Sequence, residues 1–209
     1  MMEVISVSNV CLKFYFGTMG CGKTRKLQGD YYSKIGVKRD TIILKPIIDK
    51  KGDDSTLARD GEILKAEMLI RKKDNVYMMI AEYLVDHNLD FVLVDEAQFL
   101  EPHHVDELSN VVDVLGINVL CYGLRTDFKG ELFPGSKRLF EVADHLSEIT
   151  SECSCGNNKI YNMRIDNGKP VFDGEQIAID GIEATYESVC RKCYKNANKK
   201  VVVESKIKK

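Results

Sequence analysis

Apolar residues recur along this chain at two spacings, and their alternation outlines its elements. Residues 12–16, Leu-Lys-Phe-Tyr-Phe, are largely apolar and stop at a glycine-rich turn over 17–22, which predicts a buried strand and a turn. A helix is expected from Lys23 to about Gly36, then a strand over 41–44 closed by Pro46. The polar, glycine-containing stretch 49–61 reads as a loop. From Asn75, the residues Val76, Met79, Ile80, Tyr83 and Leu84 recur at helical spacing. Phe91-Val92-Leu93-Val94 is apolar on both faces, as a central parallel strand must be. A helix from Pro102 to near Gly116, a strand over 118–122 and a helix over 136–144 continue an alternation that signals parallel βαβ units.

Past Ser151 the pattern changes to Cys, Gly, Asn and short alternating segments such as Gln176-Ile177-Ala178-Ile179. The expected organisation is therefore an α/β domain over 1–150 and a small β-rich domain over 151–195. Residues 196–209 read as a basic, unstructured tail, since 195–209 holds six lysines against one acid, Glu204. No internal repeat is visible.

Composition narrows the function classes. A chain of 209 residues can build one full core and a small appendage. A formal net charge of −2 offers no global attraction to nucleic acid or anionic lipid, so neither is an expected partner. No apolar run reaches the ~18 residues of a membrane span, and Met1–Val10 lacks the features of a secretion signal. A cytoplasmic location is expected, where thiols seldom form structural disulfides.

Gly17-Thr18-Met19-Gly20-Cys21-Gly22-Lys23-Thr24 fits the phosphate-loop pattern G-x-x-x-x-G-K-[ST] between a predicted strand and helix. Its glycines let backbone N–H groups turn toward phosphate oxygens, and the helix N-terminus favours an anion. Lys23 reaches the β- and γ-phosphates of ATP, and the Thr24 hydroxyl suits Mg²⁺. Downstream, the strand 91–94 delivers Asp95 to the edge of the sheet, where it can hold Mg²⁺ through water. Glu96 follows as a general base. These residues alone describe an ATP-using protein with a base, and ATPases that drive motion also carry Asp-Glu here.

Four of the seven cysteines form two chelating pairs, Cys153-x-Cys155 and Cys190-x-x-Cys193, with residues 156–189 between them. Four thiolates suit a closed, structural Zn²⁺ site, and the loop they anchor is a candidate substrate lid. Cys11 and Cys121 read as core, Cys21 as part of the phosphate loop, and His103 and His104 as polar surface.

At this point the motifs converge. The phosphate loop, Val94-Asp-Glu-Ala-Gln-Phe99, the run from Tyr122-Gly-Leu-Arg-Thr-Asp-Phe128 to Phe133, and Tyr186-Glu-Ser-Val-Cys190 with Cys193-Tyr194 resemble the type II thymidine kinases across most of residues 12–195. The resemblance implies a P-loop (RecA-like) parallel sheet flanked by helices, with a small β-rich zinc-binding domain. It implies ATP, Mg²⁺ and structural Zn²⁺ as cofactors, thymidine as substrate and a homotetramer. Residue by residue, it makes Glu96 the base that deprotonates the 5′-hydroxyl. It makes Met19, Leu124, Phe128, Phe133 and Tyr186 the thymine pocket, with the lid backbone at Ile177 and Ile179 bonding the base edge. Asp49 matches an acid near metal and phosphates, and Arg125 a cation that stabilises transferring charge.

Two departures stand out. Thr18-Met19-Gly20-Cys21 replaces the family's frequent Pro-Met-Phe-Ser, and Lys50-Lys51 stands where an arginine usually follows Asp49. The rival readings are an ATPase whose zinc module grips nucleic acid and a non-catalytic nucleotide sensor.

Overall fold

The computed structural model describes residues 10–47, 56–59, 62–176 and 185–207. In chain order the elements are β1 (Leu12–Gly17), α1 (Lys23–Gly36), β2 (Thr41–Pro46), β3 (Thr56–Arg59), β4 (Glu62–Lys65), β5 (Met68–Ile70), α2 (Val76–Tyr83) and β6 (Phe91–Val94). A 3₁₀ turn (Ala97–Phe99) follows, then α3 (Pro102–Leu115), β7 (Asn118–Leu124), α4 (Pro134–Val142) and β8 (His145–Ile149). The remainder comprises β9 (Tyr161–Asp166), β10 (Lys169–Val171), β11 (Thr185–Val189) and α5 (Arg191–Ile207).

Six strands form one sheet in the order β5-β2-β6-β7-β1-β8, and every pairing in it is parallel. This is the expected parallel α/β sheet flanked by helices. The central strands are apolar throughout because both faces are covered. Val92 and Val94 of β6, Ile42 and Leu44 of β2, and Val119 and Cys121 of β7 face one core with α2, α3 and α4. Leu93, Ile43, Leu120 and Tyr122 point the other way, toward Leu27 and Tyr31 of α1. The two-residue period of a strand divides the same run between both layers.

Helix ends follow local chemistry. Asn75 caps α2 by accepting from the Met78 N–H at 2.8 Å. Pro102 occupies the first turn of α3, and Gly116 closes that helix at φ 69°. The fourth predicted helix starts two residues early, at Pro134, since proline is pre-organised for a first turn.

Several expectations change. The loop read over 49–61 contains β3, which pairs antiparallel with β4. Strands β5 and β8 extend the sheet beyond what the pattern indicated, and β8 lies at an edge with half-exposed side chains, so it lacks a buried strand's apolar run. His104 is not polar surface: it is 2% exposed, and its Nδ1 accepts the Glu101 N–H within the α3 capping box. The stretch read as an unstructured tail lies on α5 as far as Ile207.

The second sheet, β10-β9-β11, is antiparallel. Its core is small: Cys153, Met163, Val189, Cys190 and Tyr194. It is seated on the larger unit by hydrogen bonds, among them Tyr194 Oη to the Phe128 carbonyl at 2.7 Å.

Candidate active site

β1 ends at Gly17, and the loop that follows reverses into the N-terminus of α1. Gly20 (φ 69°) and Gly22 (φ 102°) take left-handed conformations that a side chain would strain. The Gly20 that departs from the family pattern thus sits where glycine is conformationally suited. Lys23 is buried, and its Nζ donates to the Thr18 carbonyl at 2.8 Å and lies 3.9 Å from Cys21 Sγ. The Thr18 hydroxyl is buried without a hydrogen-bond partner among the described residues.

β6, separated from β1 by β7, delivers Asp95 and Glu96 beside this loop. Asp95 is 5% exposed. Burial, reinforced by the neighbouring charge of Glu96, pushes its carboxyl up to about 7, against the pull of Lys45 and Lys23. Two adjacent acids with so little water form a site that a cation would stabilise, and the donor set suits Mg²⁺. Glu96 has φ 49°, a left-handed conformation uncommon outside glycine. The bend turns its carboxylate away from the strand. Gln98 holds it there: Nε2 donates to Glu96 Oε2 at 2.5 Å, while Oε1 accepts the Leu124 N–H at 2.8 Å.

A cavity of about 400 Å³ opens between these segments, lined by Met19, Gly20, Gly22, Lys23, Thr24, Lys45, Pro46, Glu96, Gln98, Phe99 and Leu124. A second, of about 130 Å³, is lined by Met19, Phe99, Leu124, Asp127, Phe128, Phe133, Asn162, Gln176 and Tyr186. Met19, Phe99 and Leu124 border both. The first is the phosphate-loop cavity with its acid and lysines. The second is a mostly apolar slot with a few polar groups, the usual make-up of a small-molecule site.

The residues predicted for base binding, Met19, Leu124, Phe128, Phe133 and Tyr186, therefore line one cavity. Lys23, Thr24, Met19, Gly20, Gly22 and Glu96 line the other. Gly17 and Cys21 belong to the same loop without lining it, and Asp95 lies buried just behind. Arg125 is not brought to either cavity. Its guanidinium faces Glu148 of β8 at 3.8 Å, because the residue after Leu124 points to the opposite side of the strand end. Asp49, Ile177 and Ile179 lie outside the described residues.

Several participants were not evident from the sequence, Phe99, Pro46 and Gln176 among them. Lys45 and Gln98 line the phosphate cavity, but a lone lysine and a glutamine inside a known motif carry no spacing signal. Asp127 is 3% exposed and satisfied by the N–H groups of Lys129 (2.8 Å) and Glu131 (2.9 Å) and by Gln176 Nε2 (3.1 Å). Arg164 stacks 3.7 Å over the Phe128 ring and donates to Tyr186 Oη at 3.1 Å and to the Glu175 carbonyl at 2.9 Å. Asn162 bonds two separate loops. The last three act across the two sheets, so only folding brings them to the site.

The four cysteines converge. All four Sγ atoms lie within 4.8 Å of one another, with Cys155 3.4 Å from Cys190, 3.6 Å from Cys193, and Cys153 3.9 Å from Cys193. Tetrahedral thiolates at Zn–S ~2.3 Å stand about 3.8 Å apart, so the cluster fits a zinc ion. Donation from Asn157 pulls Cys155 down to about 6, while Cys193, hydrogen-bonded to Cys155, is pushed up to about 12. Neighbouring sulfurs compete for protons, and a bound cation removes that competition.

The family model "TK: Thymidine kinase" matches residues 10–194. The thymidine kinase of Legionella pneumophila subsp. pneumophila (strain Philadelphia 1) is 41% identical over 194 residues, covering 91% of each chain. That of Pasteurella multocida (strain Pm70) is 42% identical over 186 residues, 88% of this chain and 96% of its own. Among solved structures, the large terminase from a thermophilic bacteriophage aligns with a TM-score of 0.36 and 12% identity over 70% of this chain and 41% of that one, a likeness too loose to bear on the site.

Proposed function

The chain belongs to the thymidine kinase family, and from that membership we propose that it transfers the γ-phosphoryl of ATP to the 5′-hydroxyl of thymidine, giving dTMP and ADP. The observation that carries the reading is the pair of cavities joined at Met19, Phe99 and Leu124, one with the phosphate loop and Glu96, the other apolar. A nucleoside whose base fills the apolar slot presents its sugar toward Glu96. One missing methyl is worth only ~1–3 kcal/mol, so deoxyuridine is a second substrate.

The chain's own groups divide the work. Lys23 and the loop amides bind the phosphates and offset charge as it develops. Glu96, held by Gln98, accepts the proton of the 5′-hydroxyl as its oxygen attacks the γ-phosphorus and the bond to ADP breaks. Thr24, and Asp95 through water, would hold Mg²⁺, which would supply positive charge to offset that of the phosphates. Phe128, Phe133, Leu124, Met19 and Tyr186 hold the base and exclude water, the competing nucleophile. Ile177, Ile179 and Asp49 keep the lid and phosphate roles that the resemblance implies.

The four cysteines would hold zinc, whose bonds tie the turn over 153–156 to the junction of β11 and α5. We also propose the division at about residue 150, a cytoplasmic location, a role in deoxynucleotide salvage and a homotetramer, the last checked by light scattering.

A coupled assay with Mg-ATP and thymidine, deoxyuridine, deoxycytidine and deoxyadenosine tests the reaction. Thymidine-dependent ADP release, with deoxyuridine behind and the other two silent, is expected. Activity on none of the four would sink the kinase reading.

A further inference from the structure

The pairing of β9 with β11 places Asn162 opposite Ser188 and Arg164 opposite Tyr186. Residues two apart on a strand share a face, so one face of this ladder carries both pairs. Tyr186 and Asn162 line the apolar cavity, and Arg164 stacks on Phe128 of its wall. Asn162 and Ser188 also hold backbone of the phosphate loop.

The Met19 N–H donates to Asn162 Oδ1 at 2.8 Å, and the Ser188 hydroxyl donates to the Met19 carbonyl at 2.7 Å. That hydroxyl also lies 3.2 Å from Asn162 Oδ1, and Asn162 Nδ2 donates to the Thr126 carbonyl at 3.0 Å. Asn162 is 2% exposed. One buried amide therefore joins the phosphate loop, the segment after β7 and the cysteine-bearing sheet.

The peptide planes on both sides of the Met19 Cα are each anchored, one by its N–H and the other by its carbonyl. Anchoring both planes sets the φ and ψ of Met19, the residue whose side chain borders both cavities. It also sets where the loop enters Gly20, which adopts φ 69°. A glycine there, with no Cβ to restrict it, leaves the loop dependent on outside contacts for a single conformation. Those contacts come from Asn162 on β9 and from Ser188 on β11, the strand that runs into Cys190 two residues beyond.

We propose that Asn162 and Ser188 are positioning residues that hold the phosphate loop, through Met19, in its phosphate-receiving conformation. The boundary between the nucleotide cavity and the base cavity is then set by the cysteine-bearing sheet. This deepens the kinase reading, on which the identity of the nucleoside rests. The loop-ordering effect needs only that nucleotide phosphates bind at this loop.

Calorimetric titration of Mg-ADP into the full-length, metal-loaded protein tests it, using Ser188→Ala, Ser188→Thr and Asn162→Ala beside the parent. Loss of one or more net hydrogen bonds predicts Mg-ADP binding about three- to tenfold weaker in Ser188→Ala and at least about tenfold weaker in Asn162→Ala. Ser188→Thr keeps the hydroxyl and should restore affinity to within about twofold. Metal content and far-UV dichroism at the titration temperature are expected to stay at parental values in the Ser188 variants. Mg-ADP affinity within about twofold of the parent's in Ser188→Ala, whatever its melting temperature, would overturn the proposal. Should Asn162→Ala fail to fold, the two Ser188 variants decide alone. A parent that binds Mg-ADP but phosphorylates no nucleoside would remove the kinase reading, and the same Ser188 comparison would still judge the clamp.

Discussion

Glu96 is held in a costly backbone conformation, φ 49°, and its carboxylate is tied to Gln98, a side chain only 1% exposed. Strain at a residue that faces a cavity is a mark of function when its surroundings enforce it. Replacing Glu96 by Gln keeps the size and removes the base, so phosphoryl transfer should be abolished while Mg-ADP affinity, read by calorimetry, stays near normal. Near-parental turnover would disqualify Glu96 as the base. Gln98→Leu leaves the Leu124 N–H buried without its acceptor and frees the Glu96 carboxylate. We expect a stability loss of about 1–3 kcal/mol and a fall in kcat of about tenfold or more, with KM for ATP little changed. A variant that loses stability alone would make Gln98 a structural residue only.

At the scale of elements, the site is an assembly of strand ends. β1 terminates in the phosphate loop, β6 in the acid pair, and β7, lying between them, in Leu124. The fit between β7 and the 3₁₀ turn is close. A Cβ placed on Gly123 would stand 2.9 Å from both the backbone nitrogen and Oε1 of Gln98. Gly123→Ala must push that turn away, and with it the orientation of Glu96. The expected result is about 1–3 kcal/mol of destabilisation in denaturant unfolding, with a further drop in kcat measured well below the melting transition. Unchanged kcat would show that the turn adapts without moving the carboxylate.

Considered whole, the molecule sets a small antiparallel sheet against the open ends of a large parallel one. The small sheet's core holds Cys153, Met163, Val189, Cys190 and Tyr194, too little apolar area to order it unaided. Metal ligation by the four thiolates would supply what the core lacks. Stripping zinc with a chelator should free four thiols to a colorimetric reagent, lower the melting temperature and weaken thymidine binding, because Tyr186 and Asn162 of this sheet line the base cavity. Full thymidine affinity in stripped protein would show that the sheet holds its shape without metal.

Local pattern was enough for much of this. The phosphate loop, the Asp95-Glu96 strand end and the cysteine pairs are short-range signals, since each needs particular residue types at particular offsets. α1, α2, α3, β6 and the core of β7 were legible because burial on one or both faces imposes a period on neighbouring residues. The base-cavity residues came from resemblance, and the fold brings five of them to one slot. β8 was not legible, because an edge strand with exposed side chains needs no apolar run. Nor was His104, whose burial depends on α3 packing rather than on its position beside His103. Asn162, Ser188, Arg164, Asp127 and Gln98 are ordinary polar residues in sequence. Tertiary structure alone made them part of the site, because each bonds a partner on a different segment, and a contact across more than twenty residues leaves no trace in local periodicity.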